Sequence, residues 1–282
     1  MFQIALLTAL LASAMTAVTA HPQPRAGRPS GCGTVEPPAD FVQAVSQMVE
    51  FEANATTTES SRRATVTVDT YVHVVARSTS LSGGYVPASQ IARQIEVMNE
   101  HYTDAGFVFN LVDTDWTVNR VWAADGNDIA MKTALRQGSY SALNLYFQYD
   151  VSGYLGYCTF PTNAATGSTA FYEDGCNILY STTPGGTFER YNLGGTATHE
   201  VGHWMGLYHV FQGGCSGSGD GIADTPPQAV LTDGCPTGQD SCAGGGVDSI
   251  HNYMDYSDDA CYESFTPNQI TRMANFWSQY RA

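Results

Sequence analysis

An α/β fold with a loop-rich, crosslinked lower half is what this sequence predicts, and two observations predict it. Strand-like and helix-like hydrophobic periods alternate from residue 65 to about residue 207. Beyond Phe211, Gly, Pro, Asp and Cys crowd out regular structure until a last helical stretch near the C-terminus.

The elements follow in order. Phe41, Val42, Val45, Met48 and Val49 fall at helical spacing and predict a short amphipathic helix over 41–52. A polar run from Asn54 to Arg63 then reads as a linker, and Asn54-Ala-Thr is the chain's one glycosylation sequon. Alternation in TVTVDTYVHVV predicts a strand over 65–76. Pro87 opens a helix over about 87–104, whose Ile91, Ile95, Met98 and Tyr102 share a face. Phe107 to Asp115 reads as a strand, 127–137 as a helix, and 142–150 as a strand. Two short strands, 155–160 and 177–181, precede a helix over 194–207, and the last helix covers about 267–280.

Charge and composition narrow the function. Against 27 Asp plus Glu stand only 12 Lys plus Arg, a formal charge of −15, so the chain lacks the basic face that nucleic acid or an anionic membrane requires. With 43% hydrophobic residues it is no disordered acidic chain. Met1 to Ala20 joins an apolar run to small residues ending Val-Thr-Ala, the pattern of a secretory signal cleaved after Ala20, although no Lys or Arg precedes the run. No other stretch nears the ~20 apolar residues of a spanning helix, so an extracellular protein without a membrane anchor is expected. Seven cysteines suit that destination, and the odd count leaves one unpaired. Cys32, isolated in a Gly-rich turn, is the candidate, and an exposed position is expected for it.

The chemistry sits in His199-Glu-Val-Gly-His-Trp-Met-Gly-Leu-Tyr-His209. On a helix, His199 and His203 lie one turn apart and about 40° around the axis, so both imidazoles reach one metal ion. Were the helix to continue, His209 would lie ~9 Å beyond His203 and point elsewhere. Gly206 can adopt the left-handed conformation that ends a helix and turn His209 back as a third ligand. Three neutral imidazoles suit Zn²⁺ and leave a fourth position for water, while Glu200 is placed to take that water's proton. Solvent-facing histidines on a surface helix are the plain alternative, and a pattern this specific outweighs it.

This eleven-residue motif resembles that of the metzincin zinc metalloproteases, which also carry a methionine turn beneath the metal; Met254 in His251-Asn-Tyr-Met-Asp-Tyr matches it. Gly-Leu-Tyr-His after the second histidine, Asp-Thr-Pro-Pro at 224–227 and Asn-Tyr-Met-Asp-Tyr resemble the pappalysin family, which includes ulilysin and secreted fungal enzymes. The likeness covers about residues 65–282. It implies a zincin-type α+β fold: a twisted mixed sheet with two long helices above, and a disulfide-bonded lower subdomain with a C-terminal helix below. It implies a secreted zinc endopeptidase acting on proteins or peptides, with Tyr256 beside the metal as a hydrogen-bond donor to the developing oxyanion. Two other classes stay open: a secreted zinc-containing binding module without proteolytic activity, and a zinc amidase or deacetylase.

The same resemblance bears on the cysteines. In metzincins a leader cysteine can ligate zinc in place of water, which suggests that residues 21–63 are a prosegment, held silent by Cys32 and cut near Arg62-Arg63, ahead of a catalytic part at 64–282. It implies crosslinks Cys215–Cys242 and Cys235–Cys261, leaving Cys158 with Cys176. Several members prefer a basic residue after the scissile bond, and Asp258 and Asp259 are candidates for that subsite, with a solvated acidic turn as the alternative. Asp220, Asp224, Asp233, Asp240 and Asp248 make Ca²⁺ a second candidate cofactor, although their spacing matches no calcium motif. A monomer is expected. The acidity is uneven: residues 191–271 hold ten acidic residues and no Lys or Arg, a field that favours cations and basic substrate segments.

Overall fold

The computed structural model describes residues 31–54 and 64–282. The expected signal, the first part of the leader and the dibasic Arg62-Arg63 lie outside these residues.

Five strands form one sheet: β1 (Val66–Ala76), β2 (Phe107–Val118), β3 (Leu143–Gln148), β4 (Gly156–Cys158) and β5 (Cys176–Leu179), in the order β2-β1-β3-β5-β4. All neighbours are parallel except β4, which runs antiparallel to β5 at the edge. In β1, Val68, Vals 72 and 74 point into the main core and Val75 into a smaller cluster on the opposite face, so both faces of the strand are covered. Strand β2 extends to Val118, three residues past its expected end, because its parallel pairing with β1 continues as far as Ala76. A register shift between Thr70 and Tyr71 lets the two strands stay paired over that length.

Helices α2 (Ala88–His101) and α5 (Gly195–Trp204) pack on one face of the sheet, sharing its core through Ile91, Ile95, Met98, Ala197 and Val201. Helix α3 (Asp128–Leu135) covers the other face through Met131. A one-turn helix α4 (Thr169–Glu173), capped by Ser168, was not expected; five residues are too few for a helical period to register. The lower half is irregular and ends in α6 (Pro267–Tyr280), which begins with a capping box of Thr266 and Gln269. Three disulfides crosslink the chain: Cys158–Cys176 joins β4 to β5, and Cys215–Cys242 with Cys235–Cys261 tie the lower loops. Within the expected prosegment, residues Ala39–Asn54 form α1, seated against α6. Asn54 ends that helix exposed, its Nδ2 donating to the Glu50 carbonyl.

Candidate active site

Helix α5 carries His199 and His203 into the interior below the sheet, both essentially buried. Gly206, with φ of +96°, turns the chain directly after the helix, and its N–H donates to the His203 carbonyl. No other residue fits, since a Cβ there would stand 2.2 Å from the Phe276 ring. The turn returns His209, so the Nε2 atoms of His199 and His209 lie 3.2 and 3.0 Å from Nε2 of His203.

The outer nitrogens decide what these rings can do. His199 Nδ1 lies 2.7 Å from the Tyr253 carbonyl and His203 Nδ1 2.7 Å from the Leu207 carbonyl. Carbonyls only accept, so each Nδ1 carries the proton and each Nε2 presents a lone pair. Burial pushes His199 down to about 4 and His203 well below its ordinary value, which keeps both neutral. Facing lone pairs about 3 Å apart repel unless a cation lies between them. The donor set therefore fits a metal ion held by imidazole nitrogens. Cys32 Sγ belongs to the same group, all four ligand atoms lying within 4.8 Å of one another.

Met254, wholly buried, lies under α5: a Cβ on Gly202 would come within 2.3 Å of its sulfur. Its carbonyl accepts from Val210 N–H, so the methionine turn also fixes the residue after His209. Asp255, next in sequence, accepts from Gln228, from the Thr232 backbone and side chain, and from Tyr256 N–H, tying the 228–232 loop to the turn. The Tyr256 ring packs 5.6 Å from His199 and 5.0 Å from His209, and its hydroxyl donates to the Cys32 carbonyl at 3.3 Å.

Glu200, 1% exposed, accepts hydrogen bonds at 3.2 Å from the Cys32 thiol and from the Thr34 hydroxyl. Burial raises its carboxyl to about 8. The leader reaches it by pairing with the sheet edge: Gly33 N–H donates to the Gly156 carbonyl and Leu155 N–H to the Gly31 carbonyl, a parallel addition to β4. This pairing corrects the exposed position expected for Cys32, which is half-buried with its thiol turned into the histidine cluster. Thr34, Gly156 and Asp255 escaped sequence reasoning, since none belongs to the zinc motif and their roles arise from strand pairing and loop packing.

The two acidic candidates behind the turn separate. Asp259 is buried and lines a pocket with Glu200, Leu155, Thr196, Tyr191 and Tyr262. It accepts from the N–H groups of Leu193 and Gly195, yet burial still raises it to about 6, and its Oδ1 has no hydrogen-bond partner. Asp258 does not line this pocket: it pairs with Arg190, which also binds Asp233. The aspartates considered for calcium do not converge either. Asp220 holds Ile222 N–H and Thr225, Asp224 holds Thr266 and Asn268 N–H, and Asp248 holds Ser241 and Gln239. Asp240 is exposed. Among the described residues the other ligand group is Cys235, His251 and Cys261, whose sulfurs are joined in a disulfide.

Known proteins resemble this chain over most of its length. An extracellular metalloprotease of Colletotrichum graminicola is 56% identical over 89% of this chain and 91% of its own. The chain belongs to the pappalysin (M43) peptidase family. The family model described as pregnancy-associated plasma protein-A matches residues 156–278. Extracellular metalloprotease 1 of Coccidioides posadasii is 55% identical, covering 92% of each chain. Among solved structures, mature mirolysin of Tannerella forsythia in complex with a cleaved peptide aligns with a TM-score of 0.62 and 28% identity, over 77% of this chain and 93% of that one. A mutant of promirolysin aligns with a TM-score of 0.65 and 26% identity, over 85% of this chain and 88% of that one. Pappalysin membership makes the protein a secreted, metal-dependent endopeptidase acting on proteins or peptides. Neither the family model nor these relatives support the non-proteolytic module. Among the described residues no helix is long and apolar enough to cross a membrane.

Proposed function

We propose that the metal is zinc, held by His199, His203 and His209, and that the described state is a latent one in which Cys32 occupies the remaining position. The observation that carries this is the convergence of the imidazole Nε2 atoms, with the outer nitrogens of His199 and His203 pinned to carbonyls. Zinc bound there would supply the Lewis acidity that polarises a scissile carbonyl and acidifies water. Glu200, buried and raised to about 8, is suited to hold the proton taken from water and pass it to the leaving amine. Tyr256 would donate its hydroxyl to the developing oxyanion once the Cys32 carbonyl has left it.

Latency follows from the leader's course. Gly31 to Thr34 covers Glu200 and fills the free edge of β4, which a substrate strand would otherwise use. Residues 21–63 are then the prosegment, removed by a cut near Arg62-Arg63, and residues 64–282 the active enzyme. Likeness to a promirolysin supports this reading. Asp259, with an unpartnered oxygen in the pocket beside Glu200, is the residue to favour a basic side chain after the scissile bond. Metal analysis of the secreted protein together with casein hydrolysis tests the assignment. A chelator should abolish hydrolysis, and Glu200→Ala should lower it by roughly 10²–10⁴ while retaining the metal. Full proteolysis by Glu200→Ala would end this mechanism.

A further inference from the structure

The leader is anchored in a second place, where α1 itself touches none of the three histidines, although Phe160 packs edge-on against His203 at 5.5 Å. Helix α1 buries Phe41, Val45 and Met48 against Phe276 of α6, with Phe160 and Tyr208 at the sides. The Phe41 ring stacks 4.7 Å from Phe160 and lies 5.3 Å from Phe276. At the far end of α1, Glu52 meets Arg272 in a fork: both carboxylate oxygens accept from Nε, at 3.0 and 3.2 Å, and Oε2 also from Nη2 at 2.9 Å. Asn275 adds a third donor at 3.0 Å, and Arg272 also holds the Gly221 carbonyl. The Arg272 side chain is 1% exposed and that of Glu52 17%. Such a buried, bidentate pair is costly to break from one side, because the remaining partner is stranded without water.

Without the leader this face would present a ring cluster beside an uncovered guanidinium, in a region otherwise devoid of basic residues from 191 to 271. We propose that the α6 face around Phe276 and Arg272, with Phe160 and Tyr208, is a recognition site for one helix, α1 of this chain, and that it retains the leader independently of Cys32. This rests on the reading of residues 21–63 as a prosegment. A cut at Arg62-Arg63 then leaves the leader bound until α1 is displaced or digested, so chain cleavage and release are separate events. Freed α1 is also a ligand that rebinds the mature enzyme without needing Cys32.

The test uses the full proenzyme nicked after Arg62 or Arg63 by a trypsin-like protease, with gel filtration and mass spectrometry reporting whether the leader fragment stays. Nicked Cys32→Ser should keep its fragment, and adding a chelator should not release it. Nicked Phe41→Ala/Glu52→Gln should lose the fragment although Cys32 is intact, with a dissociation rate raised roughly 30-fold or more. Should that double variant fail to fold, a synthetic peptide of residues 39–54, which lacks Cys32, should displace the fragment from the nicked Cys32→Ser protein, and the same peptide carrying Val45→Asp should not. Release of the fragment by Cys32→Ser alone, retention by a folded double variant, or failure of the peptide to compete would each overturn the proposal. The readout is mass, so loss of the prosegment reading shows separately, as an active form whose N-terminus precedes α1.

Discussion

At the residue scale, two side chains beside the metal cluster separate chemistry from packing. Tyr256 touches His199 and His209 through its ring and offers its hydroxyl to the leader's carbonyl. Replacement by Phe keeps the ring and removes the donor, so Tyr256→Phe should bind metal normally and lose about 10²–10³ in kcat, the usual cost of one oxyanion donor. An unchanged kcat would leave the ring with a packing role alone. Asp259 gives a pH signature. Burial raises it to about 6, so its charge, and with it any preference for Lys or Arg after the scissile bond, is present above that pH and lost as the pH falls through it. The sign for stability is opposite: a raised carboxyl contributes stability that is fully present below its ordinary value of 3.8 and is lost as the pH rises through about 6. Cleavage profiles of a denatured protein mixture at pH 5 and pH 8 should differ in basic-residue preference. Asp259→Asn should show the weak preference at both.

At the scale of elements, edge strand β4 and helix α5 are fitted against each other through glycine. A Cβ on Gly156 would stand 2.7 Å from Glu200 Cγ and 3.0 Å from the Asn177 carbonyl, so this residue sets how closely strand β4 approaches Glu200, the base of the proposed mechanism. Gly156→Ala must push Glu200 or the strand aside. We expect it to fold, because β4 is also held to β5 by the Cys158–Cys176 bridge, and to lose at least about tenfold in kcat/KM from the misplaced base. Thermal unfolding and peptide kinetics on one preparation separate the two effects. Much of this scale could be read from sequence: β1, α2, α5 and α6 carry clear periods or caps, and the zinc motif with Gly206 foretold the returning third histidine. The pairing of Gly31 to Thr34 with β4 could not be read, since three residues of Gly and Cys show no strand period. Nor could the seat of α1 on α6, because an amphipathic face reveals that a helix packs, without naming its partner. Asp258 and Asp259, adjacent and chemically identical, parted because Arg190 holds the first and the N–H groups of Leu193 and Gly195 hold the second.

At the scale of the whole molecule, the lower half carries an excess of acidic side chains and with it a negative field. Four of the 12 basic residues and five of the 27 acidic ones lie in the first 63 positions, so losing the leader leaves the imbalance almost intact. Arg190 neutralises Asp233 and Asp258 at one border of that half, and Arg272 is covered by Glu52 at another. If residues 21–63 are removed as proposed, Glu52 leaves and Arg272 is exposed, but Asp259, with its unpartnered Oδ1, stays beside Glu200. A field of this kind acts on encounter, is screened within about 8–10 Å at physiological salt, and should be felt by charged substrates alone. For a peptide with several Lys or Arg residues flanking the scissile bond, kcat/KM of the leader-free enzyme should fall by about tenfold between roughly 20 mM and 0.5 M salt. A neutral peptide of the same length should change by less than about twofold, and kcat should be insensitive to salt for both. Equal salt dependence for the two peptides would assign the acidity to solubility and leave Asp259 as the local source of any basic preference.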